Sequence, residues 1–331
     1  MPFLKLCTAF LLLVALASCQ PSPEKLNKKV HAESGAYAAD IANDGSVSLV
    51  STDETGLLLW PRYATNAKYQ WQHNEGEVSQ IIDVDISADT KVAVAASRKE
   101  FSMWSIETGE NLGFWKVGSG SIQEIVVSKE GNTVVFGKRD GTQVAFNPES
   151  GRRIEFYGHN ETINALDISP NGFYVLSGSN DHSAILWDTR SGQIVHKWPL
   201  TARATQVALH PDGKYAFTAD AMDGAAIYSL PDGKTVSNLQ FLDRQRIFSA
   251  ARFSLSGEYL ITGSPSRRIA IWDIQTGESL THWNVSLRDE RHPNNAAVLA
   301  VFFDEKEQLA ISESSAGLAE WWSIDLTGSN E

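Results

Sequence analysis

Residues 162–188 read TINALDISPNGFYVLSGSNDHSAILWD, and this stretch decides the fold. An alternating strand runs into the turn Pro170-Asn171-Gly172. A second, apolar strand follows, then a polar turn, then a third strand that ends on Trp187. Residues 247–273, IFSAARFSLSGEYLITGSPSRRIAIWD, repeat the plan. The closing aromatic recurs at Trp60, Trp104, Phe146, Trp187, Tyr228, Trp272 and Trp321, with gaps of 44, 42, 41, 41, 44 and 49 residues. A period of about 40–45 residues built from short β-rich runs is the signature of four-stranded propeller blades.

Two families of turns keep the same register. Asn43-Asp44-Gly45, Pro170-Asn171-Gly172, Pro211-Asp212-Gly213 and Ser256-Gly257 separate first from second strands. Thr108-Gly109, Ser150-Gly151, Ser191-Gly192, Asp232-Gly233 and Thr276-Gly277 separate third from fourth strands. Glycine supplies the positive φ these turns need, and Asn or Asp tolerates it. Fourth strands are read at residues 113–115, 195–198 and 280–283, among others. After Trp321 only WSIDLTGSNE remains. The seventh blade therefore needs a fourth strand from the N-terminus, around residues 28–33. The expected fold is all-β: a seven-bladed β-propeller of four-stranded blades, with an N-terminal strand closing the last blade and the ring standing as a monomer.

The repeats resemble the WD-repeat family. Trp187-Asp188 and Trp272-Asp273 are its dipeptide, Gly158-His159 resembles its Gly-His, and Asp181 its turn Asp. The resemblance implies a buried hydrogen-bonded set of His, Ser or Thr, Asp and Trp. Only the fourth repeat holds all four, as His159, Ser177 or Ser179, Asp181 and Trp187. Elsewhere the pattern degrades to Trp60-Pro61, Trp104-Ser105, Phe146-Asn147, Tyr228-Ser229 and Trp321-Trp322.

The N-terminus carries a second signal. Residues 1–20 read MPFLKLCTAFLLLVALASCQ. Lys5 precedes an apolar stretch of about a dozen residues, which fits a signal-peptide core and is short of the ~20 that span a bilayer. Leu16-Ala17-Ser18-Cys19 resembles the bacterial lipoprotein box. That resemblance implies diacylation of the Cys19 thiol, cleavage before it and acylation of the new amino group. A cut after Ala17, as for an ordinary signal peptide, is the competing reading. Gln20, standing where Asp would favour retention at the inner membrane, implies an outer-membrane lipoprotein facing the periplasm. The expected organisation is a signal peptide at 1–18, a tether at 19–28 and the propeller at 29–331.

Composition narrows function. The formal net charge of -12, with no Lys/Arg run longer than two, argues against a nucleic-acid partner. Cys7 and Cys19 are the only cysteines, so the body has no disulfide and no thiolate metal site. No nucleophile elbow, zincin motif, phosphate loop or CxxC is present, and no catalytic, metal or cofactor residue is assigned. His73 and His210 lie beside turns and read as structural, and Asp167 and Asp181 read as strand and turn partners. Loops between blades, with those between second and third strands, are expected on one face. In blades five to seven they carry Arg203, Arg244, Arg246, Arg267, Arg268, Arg288 and Arg291, with His292, partly offset by Asp243, Asp289 and Glu290. Arginine favours interfaces, so these residues form the candidate partner-binding sector.

The expected function is a non-enzymatic, lipid-anchored interaction scaffold for an unidentified envelope protein. The alternative is a channel-site hydrolase, lactonase or small-ligand binder. An apolar channel mouth favours the scaffold; three or four convergent carboxylates favour metal-dependent hydrolysis.

Overall fold

The computed structural model describes residues 22–72, 80–222, 224–241, 247–288 and 295–326. Cys19 and the signal sequence lie outside the described residues. So do His73, Asp243, Arg244, Arg246, Asp289, Glu290, Arg291 and His292.

Among the described residues, twenty-eight strands form seven four-stranded antiparallel sheets. The first strand, β1 (Glu24–Val30), stands apart from its sequence neighbours. Blade one is β2 (Ala39–Ile41), β3 (Val47–Thr52), β4 (Gly56–Pro61) and β5 (Tyr69–Trp71). Blade two is β6 (Asp83–Ile86), β7 (Val92–Ala96), β8 (Glu100–Ser105) and β9 (Asn111–Lys116). Blade three is β10 (Ile122–Val127), β11 (Val134–Lys138), β12 (Gln143–Phe146) and β13 (Arg153–Phe156). Blade four is β14 (Ile163–Ile168), β15 (Tyr174–Ser179), β16 (Ser183–Asp188) and β17 (Gln193–Pro199). Blade five is β18 (Ala204–Leu209), β19 (Tyr215–Asp220), β20 (Ala225–Ser229) and β21 (Thr235–Asn238). Blade six is β22 (Ala250–Phe253), β23 (Tyr259–Gly263), β24 (Arg268–Asp273) and β25 (Ser279–Asn284). Blade seven is β26 (Val298–Asp304), β27 (Leu309–Ser314) and β28 (Leu318–Ser323), completed by β1.

The middle strands explain why the blades stack. β3, β7, β11 and β27 are buried at every position, so both faces of a blade lie against neighbours. A strand covered on both faces reads as an unbroken apolar or small-residue run rather than an alternation. The aromatic closing each third strand packs against the preceding blade: Trp104 joins blade-one side chains, Phe146 blade two, Trp187 blade three and Trp272 blade five. At a third-to-fourth-strand turn, Gly277 has φ 73°, and a Cβ there would meet Asn238 O at 2.0 Å.

Blade seven corrects one expectation. The register pairs Leu309 with Ser323 and Ala310 with Trp322. Blade four pairs Tyr174 with Asp188 and Val175 with Trp187. The seventh equivalent of Trp187 is therefore Trp322, not Trp321. Trp322 Nε1–H donates to Ser312 Oγ at 3.3 Å, as Trp272 Nε1–H donates to Thr262 Oγ1 at 2.8 Å. Trp321 faces the other way, edge-on to His31. Adjacent tryptophans left the sequence without a means to choose, because the choice depends on the register of β27 against β28.

The closing strand is present, and it begins at Glu24. Five residues read as tether, 24–28, thus lie in β1. It pairs antiparallel with β28, with a bulge between Lys25 and Asn27. The chain beyond it is also held: His31 N–H and Ala32 N–H both donate to Gly317 O, at 2.9 and 3.2 Å. His31, 3% exposed, lies flat on Trp60 of blade one, with ring centroids 4.4 Å apart, and its Nδ1 is 2.8 Å from Glu313 Oε1 of blade seven. One side chain thus touches both sides of the ring's seam. His31→Ala is expected to cost about 2–3 kcal/mol, because it leaves buried Glu313 without its partner. Urea denaturation checks this, and His31→Ala/Glu313→Ala should be more stable than His31→Ala alone.

Candidate functional site

Two places could carry function: the central channel and the face bearing the loops between blades.

The inner strands wall the channel, and the blades contribute one equivalent position each, set by the pairing of first strand with second. These positions hold Asp40, Asp85, Val126, Asp167, Ala208, Arg252 and Phe302 in ring order. Each Asp accepts a backbone N–H from the next blade's inner strand: Ile86 to Asp40 at 2.9 Å, Val127 to Asp85 at 2.6 Å, and Leu209 to Asp167 at 2.6 Å. Arg252 crosses from blade six to blade one, donating to Asp40 at 2.6 Å and to Asn43 Oδ1 at 2.9 Å. One layer nearer the loop face, Asp83 accepts Ile125 N–H at 2.7 Å. Asp83 also shares a hydrogen bond with Glu124.

Five carboxylates therefore converge on a cavity of about 320 Å³, with Arg252 among them. The channel is acidic, not apolar. Withdrawal from bulk water pushes Asp83 up to about 7 and Asp167 to about 6. It lifts Asp85 and Glu124 well above the usual carboxylate range, and neighbouring acids push the same way. Two carboxyl groups in hydrogen-bond contact need a proton between them, so the Asp83–Glu124 pair holds one. Among the described residues, no group of three or more His, Cys, Asp or Glu is arranged to hold a metal ion. Sequence reasoning passed over this channel. Asp40, Asp83, Asp85 and Glu124 are scattered over three inner strands of different blades, and only the register stacks them.

In blade four, His159 bonds both Ser177 and Asp181, and Trp187 is linked to them through a residue of blade three. His159 lies 2.9 Å from Ser177 Oγ through Nε2 and 2.9 Å from Asp181 through Nδ1. Ser177 is thus the serine of the set, while Ser179 donates to Glu161 O. Trp187 does not reach Ser177. Its Nε1–H donates to Gln143 Oε1 at 2.8 Å, and Gln143 Nε2–H donates to Ser177 Oγ at 2.9 Å. Gln143, fully buried, belongs to blade three, so this network bolts two blades together. Burial lowers the His159 pKa against the pull of Asp181. Burial would raise Asp181, but hydrogen bonds from Ser183 and His159 outweigh it and hold the carboxyl down. Asp167 and Asp181 are not a pair: one ties blades at the channel, the other serves His159. His210 is 1% exposed among Tyr215 and Phe253, and burial lowers its pKa.

On the loop face, connections between blades lie against the turns between second and third strands. Leu200 N–H donates to His182 O at 2.8 Å, Ala221 N–H to Arg203 O at 3.0 Å and Val285 N–H to Arg267 O at 3.0 Å. The candidate arginines divide there. Arg267 donates to Val285 O through Nε and Nη2, and its φ is 76°. Arg288 donates to Ala32 O and Glu33 O and pairs with the Glu33 carboxylate. Arg268 opens β24 and is partly buried. Arg203 is exposed and borders a second cavity of about 350 Å³ with Glu124, Asn164 and Thr205. Tyr37, Tyr157 and Met222 are 50%, 71% and 53% exposed on the same face.

A family model described as WD domain, G-beta repeat matches residues 151–188. The match starts at the outer strand of blade three and runs through the first three strands of blade four, the segment holding His159, Asp181 and Trp187. No match was found among curated proteins.

The raised channel pKa values fix a pH dependence. Both folded-state values exceed the ordinary 3.8. The folded chain therefore holds protons that the unfolded chain releases, and this contribution to stability is lost as pH rises from about 4 to about 7. Asp83→Asn keeps an acceptor for Ile125 N–H without the charge. It should stabilise the protein by about 1–2 kcal/mol at pH 8 and by almost nothing at pH 4. Thermal melts of both proteins across that range check the difference.

Proposed function

We propose that this WD-repeat β-propeller is a lipid-anchored protein-interaction scaffold of the bacterial envelope, held at the outer membrane through Cys19 and facing the periplasm. The observation that carries the scaffold reading is the loop face. It presents Tyr37, Tyr157, Met222 and Arg203 exposed on a stiff ring. Aromatics and arginine dominate protein interfaces, and loops fixed by a rigid frame lose little entropy on binding. Arg244, Arg246 and Arg291 belong to connections whose described ends, at Phe241, Ile247 and Arg288, border this face. WD-repeat propellers are usually non-enzymatic, which agrees.

The experiment is crosslinking in intact cells with the wild type and with Arg203, Arg244, Arg246 and Arg291 reversed to Glu. Loss of the captured protein is expected on reversal, and an unchanged capture would sink the arginine sector. Arg267 and Arg288 are left alone because their side chains hold the fold.

The anchor rests on Leu16-Ala17-Ser18-Cys19 and on β1, which starts five residues after Cys19. Cys19→Ala should move the protein from the membrane fraction to the soluble one and leave the signal sequence uncut. Normal maturation and membrane partition of the mutant would refute lipidation.

The acidic channel favours a second reading, a small-ligand or metal-dependent hydrolase. Against it, four of the five carboxylates already accept backbone N–H groups. Thermal melts with Ca²⁺, Mg²⁺ or Zn²⁺ separate the readings: the scaffold predicts no shift, and a saturable upward shift abolished by Asp85→Asn would favour the channel.

A further inference from the structure

The outer rim of the ring is not uniform. Each blade ends in an outer strand with one unpaired edge. β1 reads EKLNKKV and carries Lys25, Lys28 and Lys29 against Glu24. None of β5, β9, β13, β17, β21 and β25 has more than one Lys or Arg. Lysines on an open edge discourage pairing with other chains, but three of the other outer strands carry no basic residue and the remaining three carry one. β1 has more, on a protein of net charge -12.

The three lysines are not spent alike. Lys25 is committed inward: its Nζ is 2.8 Å from buried Glu320, bonds Ser286 Oγ and lies over Trp322 at 4.9 Å. Lys28 is exposed and Lys29 partly so, and neither makes an ion pair with a described residue. Between the paired residues Lys25 and Asn27, the bulge leaves Leu26 out of register and 57% exposed. Val30, at the end of the strand, is 38% exposed. Cationic side chains beside exposed aliphatic ones match the chemistry of a membrane interface.

Chain length adds the decisive constraint. Residues 20–23 separate Cys19 from β1. Four residues reach at most roughly 14 Å. An acylated Cys19 would hold this rim, and no other, against the bilayer.

We propose that the exposed edge of β1, through Lys28, Lys29 and Leu26, docks on anionic phospholipid headgroups, so that the ring stands on its blade-seven rim. This rests on the lipid anchor proposed above. It adds a pose: both faces of the ring, and both channel mouths, stay open to partners. The attraction fades at high salt, because screening shortens the range of exposed charges to about 3 Å at 1 M.

The test uses the acylated full chain in phosphatidylethanolamine–phosphatidylglycerol vesicles that carry a headgroup quencher. The body has no cysteine, so a dye can be placed at the exposed Asn27→Cys in β1 or, on the far rim in β17, at the 49%-exposed Ile194→Cys. Unchanged thermal melts certify that the variants fold. Strong quenching is expected at position 27 and little at 194. Adding Lys28→Gln and Lys29→Gln should reduce occupancy of the docked pose about fivefold per lysine. Protein that floats with the vesicles but quenches equally at both positions, or quenches undiminished without the lysines, overturns the docking alone. Protein that does not float overturns the anchor and the docking together.

Discussion

The ring depends on the pairing of β1 with β28. A blade buries both of its faces, so a row of blades left open would present two unpaired apolar faces, one on blade one and one on blade seven. Six blades are made from consecutive chain. The seventh takes strands from both ends of the described chain, which turns an arc into a closed ring. Several ionisable pairs among the described residues gather around the seam. Lys25–Glu320, Arg288–Glu33, His31–Glu313, Arg62–Glu307 and Arg252–Asp40 all tie β1, the segment after it, or blades one, six and seven to one another. Glu313 and Glu320 are 1% and 0% exposed. Buried carboxylates are costly without their partners. Those partners on Lys25 and His31 arrive only when the N-terminal segment is in register, so the seam disfavours a slipped or absent clasp more sharply than apolar packing would.

The channel applies the same economy at the centre of the ring. Inner strands have one edge with no neighbouring strand, and their N–H groups need acceptors. Asp40, Asp83, Asp85 and Asp167 supply them from the preceding blade. An ionised carboxylate in a narrow channel is unfavourable, and five of them repel one another. The structure responds with Arg252 and with protons retained near neutral pH. These acids set the spacing between inner strands, and their charge state follows from geometry. That accounts for carboxylates converging while four of the five accept backbone N–H groups.

What the sequence revealed and what it hid follow from range. Blade count was legible because each repeat carries its own aromatic and its own positive-φ turns, all local features. The clasp was legible by subtraction, since too little chain follows the last aromatic. The choice between Trp321 and Trp322 was not, because it depends on the register of β27 against β28. Gln143 was hidden for the same reason: nothing near it in sequence marks a glutamine that bonds a tryptophan 44 residues later. Arg267 and Arg288 looked like free loop charges, and only three-dimensional proximity turned them into clamps on Val285 O, Ala32 O and Glu33.

These distinctions bear on what the ring can do. Side chains that hold the fold, such as His159, Gln143, Arg288 and the channel aspartates, are engaged in hydrogen bonds within the ring. The exposed side chains proposed to bind lie at two places, the loop face and the β1 rim. The two are set at right angles, since loops crown the ring and β1 lies on its circumference. A rim contact therefore leaves the loop face unobstructed, whereas attachment through the loop face would bury Tyr37, Tyr157 and Arg203. A scaffold must hold its support and its partner at once, and this arrangement meets that demand without any movement between blades.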